Sequence, residues 1–233
     1  MQALPERRFR LLLSLQNGAW GGQGAPMRVS MIAALFVERG GVYWNQPGVS
    51  PWDEERDARL YAGPWPVVAH PPCERWGRWA GPDAGKDDGC FRAAFAAVGK
   101  FGGVLEHPEA SKAWARFAIP RPERIGRWRW FGSTQLIPRQ LVGWTCCVEQ
   151  GHYGHRARKM TWLFAALPHG IAPPELKWGP SVATIGPRPG RDPVRERRIG
   201  AVQRMCRAER RATPPAFRDV LLEIARSATR GEG

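Results

Sequence analysis

Pro66-Val67-Val68-Ala69-His70-Pro71-Pro72-Cys73-Glu74-Arg75-Trp76-Gly77-Arg78-Trp79 is the stretch whose reading decides the fold. Its opening, Val67-Val68-Ala69, is a short apolar run suited to a buried strand. The ladder cannot continue through His70-Pro71-Pro72, because two prolines withdraw backbone donors and stiffen the chain. Cys73 is therefore presented straight after a rigid turn at the end of a strand. A thiol held there suits a nucleophile, and it equally suits a structural cysteine beside a loop.

The pattern recurs downstream. Gly102-Gly103-Val104-Leu105-Glu106-His107-Pro108-Glu109 is again a short strand ending in ionisable groups and a proline. In an α/β sheet two such strand ends lie side by side at the carboxyl edge, where ligands bind. Glu106 follows two apolar residues and needs a partner if buried, so it is read as functional. Upstream, Val29-Ser30-Met31-Ile32-Ala33-Ala34-Leu35-Phe36-Val37 has strand length and precedes Glu38-Arg39-Gly40-Gly41. The glycine pair permits a tight turn and close backbone approach to a ligand. A nucleotide loop and a plain hairpin both fit it.

Around these strands the other elements fall into place. Trp52-Asp53-Glu54-Glu55-Arg56-Asp57-Ala58-Arg59-Leu60-Tyr61 predicts a short helix, with Asp53 as its N-cap or as a partner for a ribose hydroxyl. Cys90 to Gly99 has helical apolar spacing. Residues 111–145, with Trp114, Trp128, Trp130 and Trp144, read as an irregular insertion. Thr145 to Gln150 and Trp162 to Phe164 predict strands flanking Gly151-His152-Tyr153-Gly154-His155-Arg156-Ala157-Arg158-Lys159-Met160-Thr161. That basic cluster suits phosphate or a base edge, and a solvated hairpin is the alternative. The Pro214-Pro215 pair opens an amphipathic C-terminal helix.

Composition narrows the partners. The 233 residues carry a net charge of +14, which points to a polyanion, DNA first. Twelve tryptophans supply core and stacking surfaces. Five cysteines without regular spacing fit a reducing cytoplasm better than a disulfide framework, and no apolar run has the length of a membrane span. The chain divides into an extension over 1–26, a core over 27–167, a Pro/Gly/Arg-rich DNA-contacting segment over 168–212 and a terminal helix over 213–233.

With Pro72-Cys73, Leu105-Glu106 and Tyr153-Gly154 in this order, the chain resembles the DNA (cytosine-5) methyltransferases, in particular their short phage-type members. The resemblance implies a shortened Rossmann-like α/β sheet, S-adenosylmethionine as cofactor and DNA as substrate. It makes Cys73 the nucleophile, assisted by Glu106, Arg158 and Lys159, with nearby cations such as Arg75 or Lys159 lowering the thiol's pKa. Phe36, Gly40, Gly41, Asp53 and Pro72 would meet the cofactor, and Arg75, Trp76, His107, Tyr153, His155 and Arg156 the DNA. The chain departs from the family in placing Glu38 at the first loop glycine, Ala157 at an expected glutamine, and His107-Pro108 after the glutamate.

Two other classes compete. His107-Pro108-Glu109 is half of a zinc-deaminase signature, with Cys146-Cys147 as its only downstream cysteine pair. The altered glycine loop also fits a non-catalytic DNA-binding protein on a decayed methyltransferase fold.

Overall fold

A computed structural model describes residues 31–123, 125–132, 142–185 and 205–229. The extension over 1–26 and the arginine-rich run over 186–204 lie outside them. The described residues form a seven-stranded mixed sheet in the order β2-β1-β3-β4-β7-β6-β5. Strands β1 (Ile32–Leu35), β2 (Val49–Trp52), β3 (Val67–Ala69) and β4 (Gly103–Pro108) run parallel. Strand β7 (Met160–Ala166) is antiparallel to both β4 and β6 (Gly143–Glu149), and β5 (Arg129–Phe131) closes the far edge. The chain is thus an α/β protein whose sheet is compatible with a Rossmann-like fold. No described helix is long and apolar enough to cross a membrane.

The central strands are buried on both faces, which explains their unbroken apolar text. Side chains alternate between two cores. Ala33, Leu35, Val67, Ala69 and Leu105 face helix α1 (Cys90–Phe101), and Ile32, Ala34, Val68 and Val104 face the C-terminal helix. Helix α1 turns Phe91, Ala94, Ala97 and Val98 inward, at the spacing expected from its sequence. A second helix, α2 (Lys112–Arg116), is capped by Ser111 and buries Trp114. The short α3 (Arg207–Arg211) precedes α4 (Pro215–Ser227), which starts at a proline and buries Phe217, Leu221, Leu222 and Ile224. Proline at the first turn costs no hydrogen bond, and the apolar stripe docks the helix on the sheet.

Three expectations are corrected. The helix predicted from Trp52 is instead the end of β2, a turn, and one 3₁₀ turn over Ala58–Leu60. Asp53 accepts the Arg56 N–H at 2.9 Å, and Asp57, at φ 50°, accepts the Arg59 N–H. Carboxylates that close local turns compete with helix propagation. The "irregular" stretch over 111–145 contains α2 and β5. The basic hairpin begins with a 3₁₀ turn over Gln150–Tyr153.

Candidate active site

The parallel register Leu35↔Ala69↔Leu105 brings Phe36, His70 and Glu106 to the same level at the carboxyl edge. The His70 N–H still donates to Leu35 O at 3.0 Å, and then the two prolines end the strand. Cys73 opens a tight turn in which its carbonyl accepts from Trp76 and Gly77, at 3.1 and 2.8 Å. Its thiol is partly buried.

Glu106 is the centre of a hydrogen-bonded chain. One carboxylate oxygen lies 2.9 Å from His70 Nδ1, and the other accepts from Gln150 Nε2 at 3.2 Å. His70 Nε2 lies 2.8 Å from the Tyr43 hydroxyl, and Gln150 also donates to Thr161 Oγ1 at 2.9 Å. With Nδ1–H donating to Glu106, His70 Nε2 accepts from Tyr43, and every link has a donor and an acceptor. Burial alone would raise the Glu106 pKa. The His70 hydrogen bond and the charges of His70, Lys159 and His107 overcome that and bring it down to about 2. Burial raises the Tyr43 hydroxyl well above its ordinary value, with the Glu106 charge reinforcing it. Both groups thus hold their neutral-pH forms: Tyr43 donates and Glu106 accepts.

Lys159 completes the cluster. It is held in the left-handed region, φ 38°, an uncommon conformation for a lysine. Its ammonium donates to Ala212 O at 2.8 Å. Burial lowers its pKa, opposed by the charges of Glu106 and Cys73. The expectation of an acidified thiol is corrected: burial and then the Glu106 charge raise the Cys73 pKa, while Arg211 and Lys159 pull it down. Arg75 is exposed and takes no part in this balance. Arg211 does so from the C-terminal side, where it also pairs with Glu74.

The remaining expected residues divide sharply. Arg158 is drawn off to Glu149, a buried carboxylate 3.1 Å from its Nε, so it does not join Cys73. Trp76 packs in the core and donates its indole N–H to Asp87. Tyr153 is buried against Phe217, its hydroxyl accepting the Lys177 N–H at 2.8 Å. His155 is buried, with Nδ1 accepting from Ala157 N–H and Nε2 donating to Glu209 O. Arg156 pairs with Glu209 at 2.6 Å. Trp76, Tyr153 and His155 hold the frame instead of facing outward to DNA, whereas Arg156, though paired, stays exposed. Their sequence context did not distinguish the two roles, since buried and stacking aromatics share one composition.

His107 is also corrected. It is 1% exposed, with Phe91 and Trp114 against it at centroid distances of 5.2 and 6.2 Å. Neither ring nitrogen closes a hydrogen bond of normal geometry. Burial pushes its pKa down to about 4, against the Glu106 charge and the Pro72 backbone, which favour the protonated form. The unfolded chain therefore takes up a proton near pH 6.5 that the folded chain refuses until about pH 4, and stability falls as pH drops through that window. His107→Phe removes a lone polar group from an aromatic nest. Urea unfolding of that variant should show at least wild-type stability at pH 7 and a gain of roughly 2–3 kcal/mol over wild type at pH 4.

On the β1 and β2 side, a cavity of about 360 Å³ is lined by Arg39, Trp44, Asp53, Glu55 and Arg56. Gly40, at φ +69°, sits in the loop above it, where a side chain would force strain. Phe36, at φ 59°, is half-buried beside the core. Gly41 N–H closes the turn onto Glu38 O at 3.0 Å, and Glu38 itself is exposed. Pro72 is exposed at the other side of the edge.

The deaminase ligand set does not assemble. Cys146 and Cys147 lie in opposite cores, and Glu109 pairs with Arg78 at 3.1 Å. Fold and site together define an α/β protein with a thiol, a buried carboxylate and a lysine at the carboxyl edge of its parallel strands. No family model, no curated protein and no solved structure matches the chain. Tyr43, His70 and Gln150 are the site residues that motif reading missed. For His70 there was one sequence signal, its place directly before Pro71-Pro72-Cys73.

Proposed function

We propose that this chain modifies cytosine at C5 in DNA, with S-adenosylmethionine as methyl donor and Cys73 as nucleophile. The observation that carries the reading is that Cys73 follows β3 and Glu106 lies on the adjacent parallel β4, with Lys159 directly before β7, the strand paired to β4. C5 of cytosine is electron-poor until a nucleophile adds at C6. Cys73 Sγ forms that bond as the C5=C6 π bond breaks, its proton passing through water to N3, which leaves an electron-rich enamine at C5. Glu106, anionic and fixed by His70 and Gln150, accepts hydrogen bonds from the base's N4 and from N3 as it gains a proton. Those bonds strengthen as charge develops, which is where they accelerate the step. Lys159 and Arg211 favour the thiolate. Once C5 carries the methyl group, its proton passes to water and Cys73 leaves C6 as a thiolate, which restores the ring. Asp53 and Gly40 would be among the residues that hold the cofactor, which when bound would supply an electrophilic methyl group.

The target must leave the base stack to reach these groups. A mixed sheet compatible with a Rossmann-like fold supports the reading, as does the open pocket beside Asp53. Calorimetry tests the cofactor half: S-adenosylmethionine should bind the full chain, and Asp53→Ala should weaken it by roughly tenfold, the scale of a charge-assisted hydrogen bond. Tritium transfer to cytosine C5 tests the chemistry. No cofactor binding together with salt-dependent DNA binding would favour the non-catalytic alternative.

A further inference from the structure

A second feature lies on the β5–β6 side of the sheet, outside the catalytic cluster. Trp178 is 60% exposed, an unusual surface for the largest apolar side chain. Its position is built. Gly126, at φ +72°, packs so closely that a Cβ there would come within 2.4 Å of Trp178 Cβ. The Arg127 guanidinium lies 5.1 Å from the indole centroid. Trp128 Nε1–H donates to Pro174 O at 2.9 Å, and the Lys177 N–H is held by Tyr153. Between these segments is a cleft of about 180 Å³, with Glu175 and Leu176 also in its wall.

We propose that this cleft stacks an unpaired base of single-stranded polynucleotide on Trp178, with Arg127 meeting its phosphates. An indole beside a guanidinium matches what single strands require: a flat apolar face together with cationic groups along the backbone. The Glu175 carboxylate in the wall disfavours phosphate at that point and suits a base amino group. From Trp178 the chain leads to Ser181, whose hydroxyl is bonded to Glu149, and on to Ile185, whose N–H donates to Arg156 O at 3.1 Å. Glu149 precedes Gln150, the donor to Glu106. The assignment of DNA as ligand rests on the function proposed above.

Oligodeoxythymidylate separates the two claims, because it contains no cytosine and cannot react with Cys73. Fluorescence anisotropy with a labelled oligomer should show binding by the full chain, and Trp178→Ala should weaken it by roughly tenfold without changing the salt slope. Trp178→Phe should keep most of the affinity, and Arg127→Ala should lower both affinity and slope. Heparin, a polyanion without bases, should bind Trp178→Ala as it binds wild type. Wild-type affinity for the oligomer in Trp178→Ala, no binding by wild type, or equal losses for oligomer and heparin would overturn the stacking site. Oligomer binding by a chain that transfers no methyl group to cytosine-containing DNA would overturn only the proposed reaction.

Discussion

Cys73→Ala should bind DNA and S-adenosylmethionine normally and transfer methyl groups at least about a thousandfold more slowly than wild type, the scale of losing a nucleophile. The side chain is partly buried and forms no disulfide, so folding should survive its loss. The pH dependence follows from its surroundings. Burial and Glu106 hold the thiol above its ordinary pKa, so the reactive thiolate grows as pH rises through neutrality into the alkaline range. Arg211 and Lys159 oppose that shift. Arg211→Gln should accordingly push the thiol further up and slow its alkylation by iodoacetamide at fixed pH. An unchanged alkylation profile in Arg211→Gln would show that the C-terminal segment does not tune the thiol.

Glu106→Gln should lower activity by about 10²–10⁴-fold, since an amide cannot match a carboxylate as acceptor for a charged transition state. It should also change how acid unfolds the protein. The Glu106 pKa falls from an ordinary 4.5 to about 2 on folding, and its side chain is only 12% exposed. Folding therefore gains about 3 kcal/mol from this carboxylate at neutral pH. That gain is complete above the unfolded pKa and is lost as pH falls from about 4.5 to 2. His107 acts in the window above, from pH 6.5 to about 4, so the wild-type protein should lose stability in two successive steps on acidification. Glu106→Gln should be destabilised at pH 7 and lack the lower step. Urea titrations at pH 7, 5 and 3 read both effects, and a lower step of wild-type size in Glu106→Gln would place the coupling elsewhere.

Much of the fold was legible in the text. Val67-Val68-Ala69 and Val104-Leu105 announce buried parallel strands by apolar runs that end abruptly, at His70-Pro71 and at Glu106. Helices α1 and α4 follow from 3.6-residue spacing and, for α4, from Pro215. The Asp53–Arg59 stretch misled because its carboxylates serve turns as readily as helix starts. Within the site, Cys73 and Glu106 stood out by position. His70, Tyr43 and Gln150 did not, because their role depends on neighbours brought in by sheet register and by the 3₁₀ turn after β6. Residues Tyr153 and His155 show the converse: a polar, aromatic, basic run reads as a ligand surface, while the pairing of β6 with β7 turns both side chains inward.

The central claim is that Cys73 adds to cytosine C6. Duplex DNA carrying 5-fluorocytosine tests it, because fluorine at C5 cannot leave as a proton and the covalent adduct is trapped after methyl transfer. Intact-mass measurement of wild-type protein incubated with this DNA and S-adenosylmethionine should show a protein–DNA adduct mapping to Cys73, absent from Cys73→Ala. An adduct that persists in Cys73→Ala, or methylated cytosine formed without any adduct in wild type, would contradict the account.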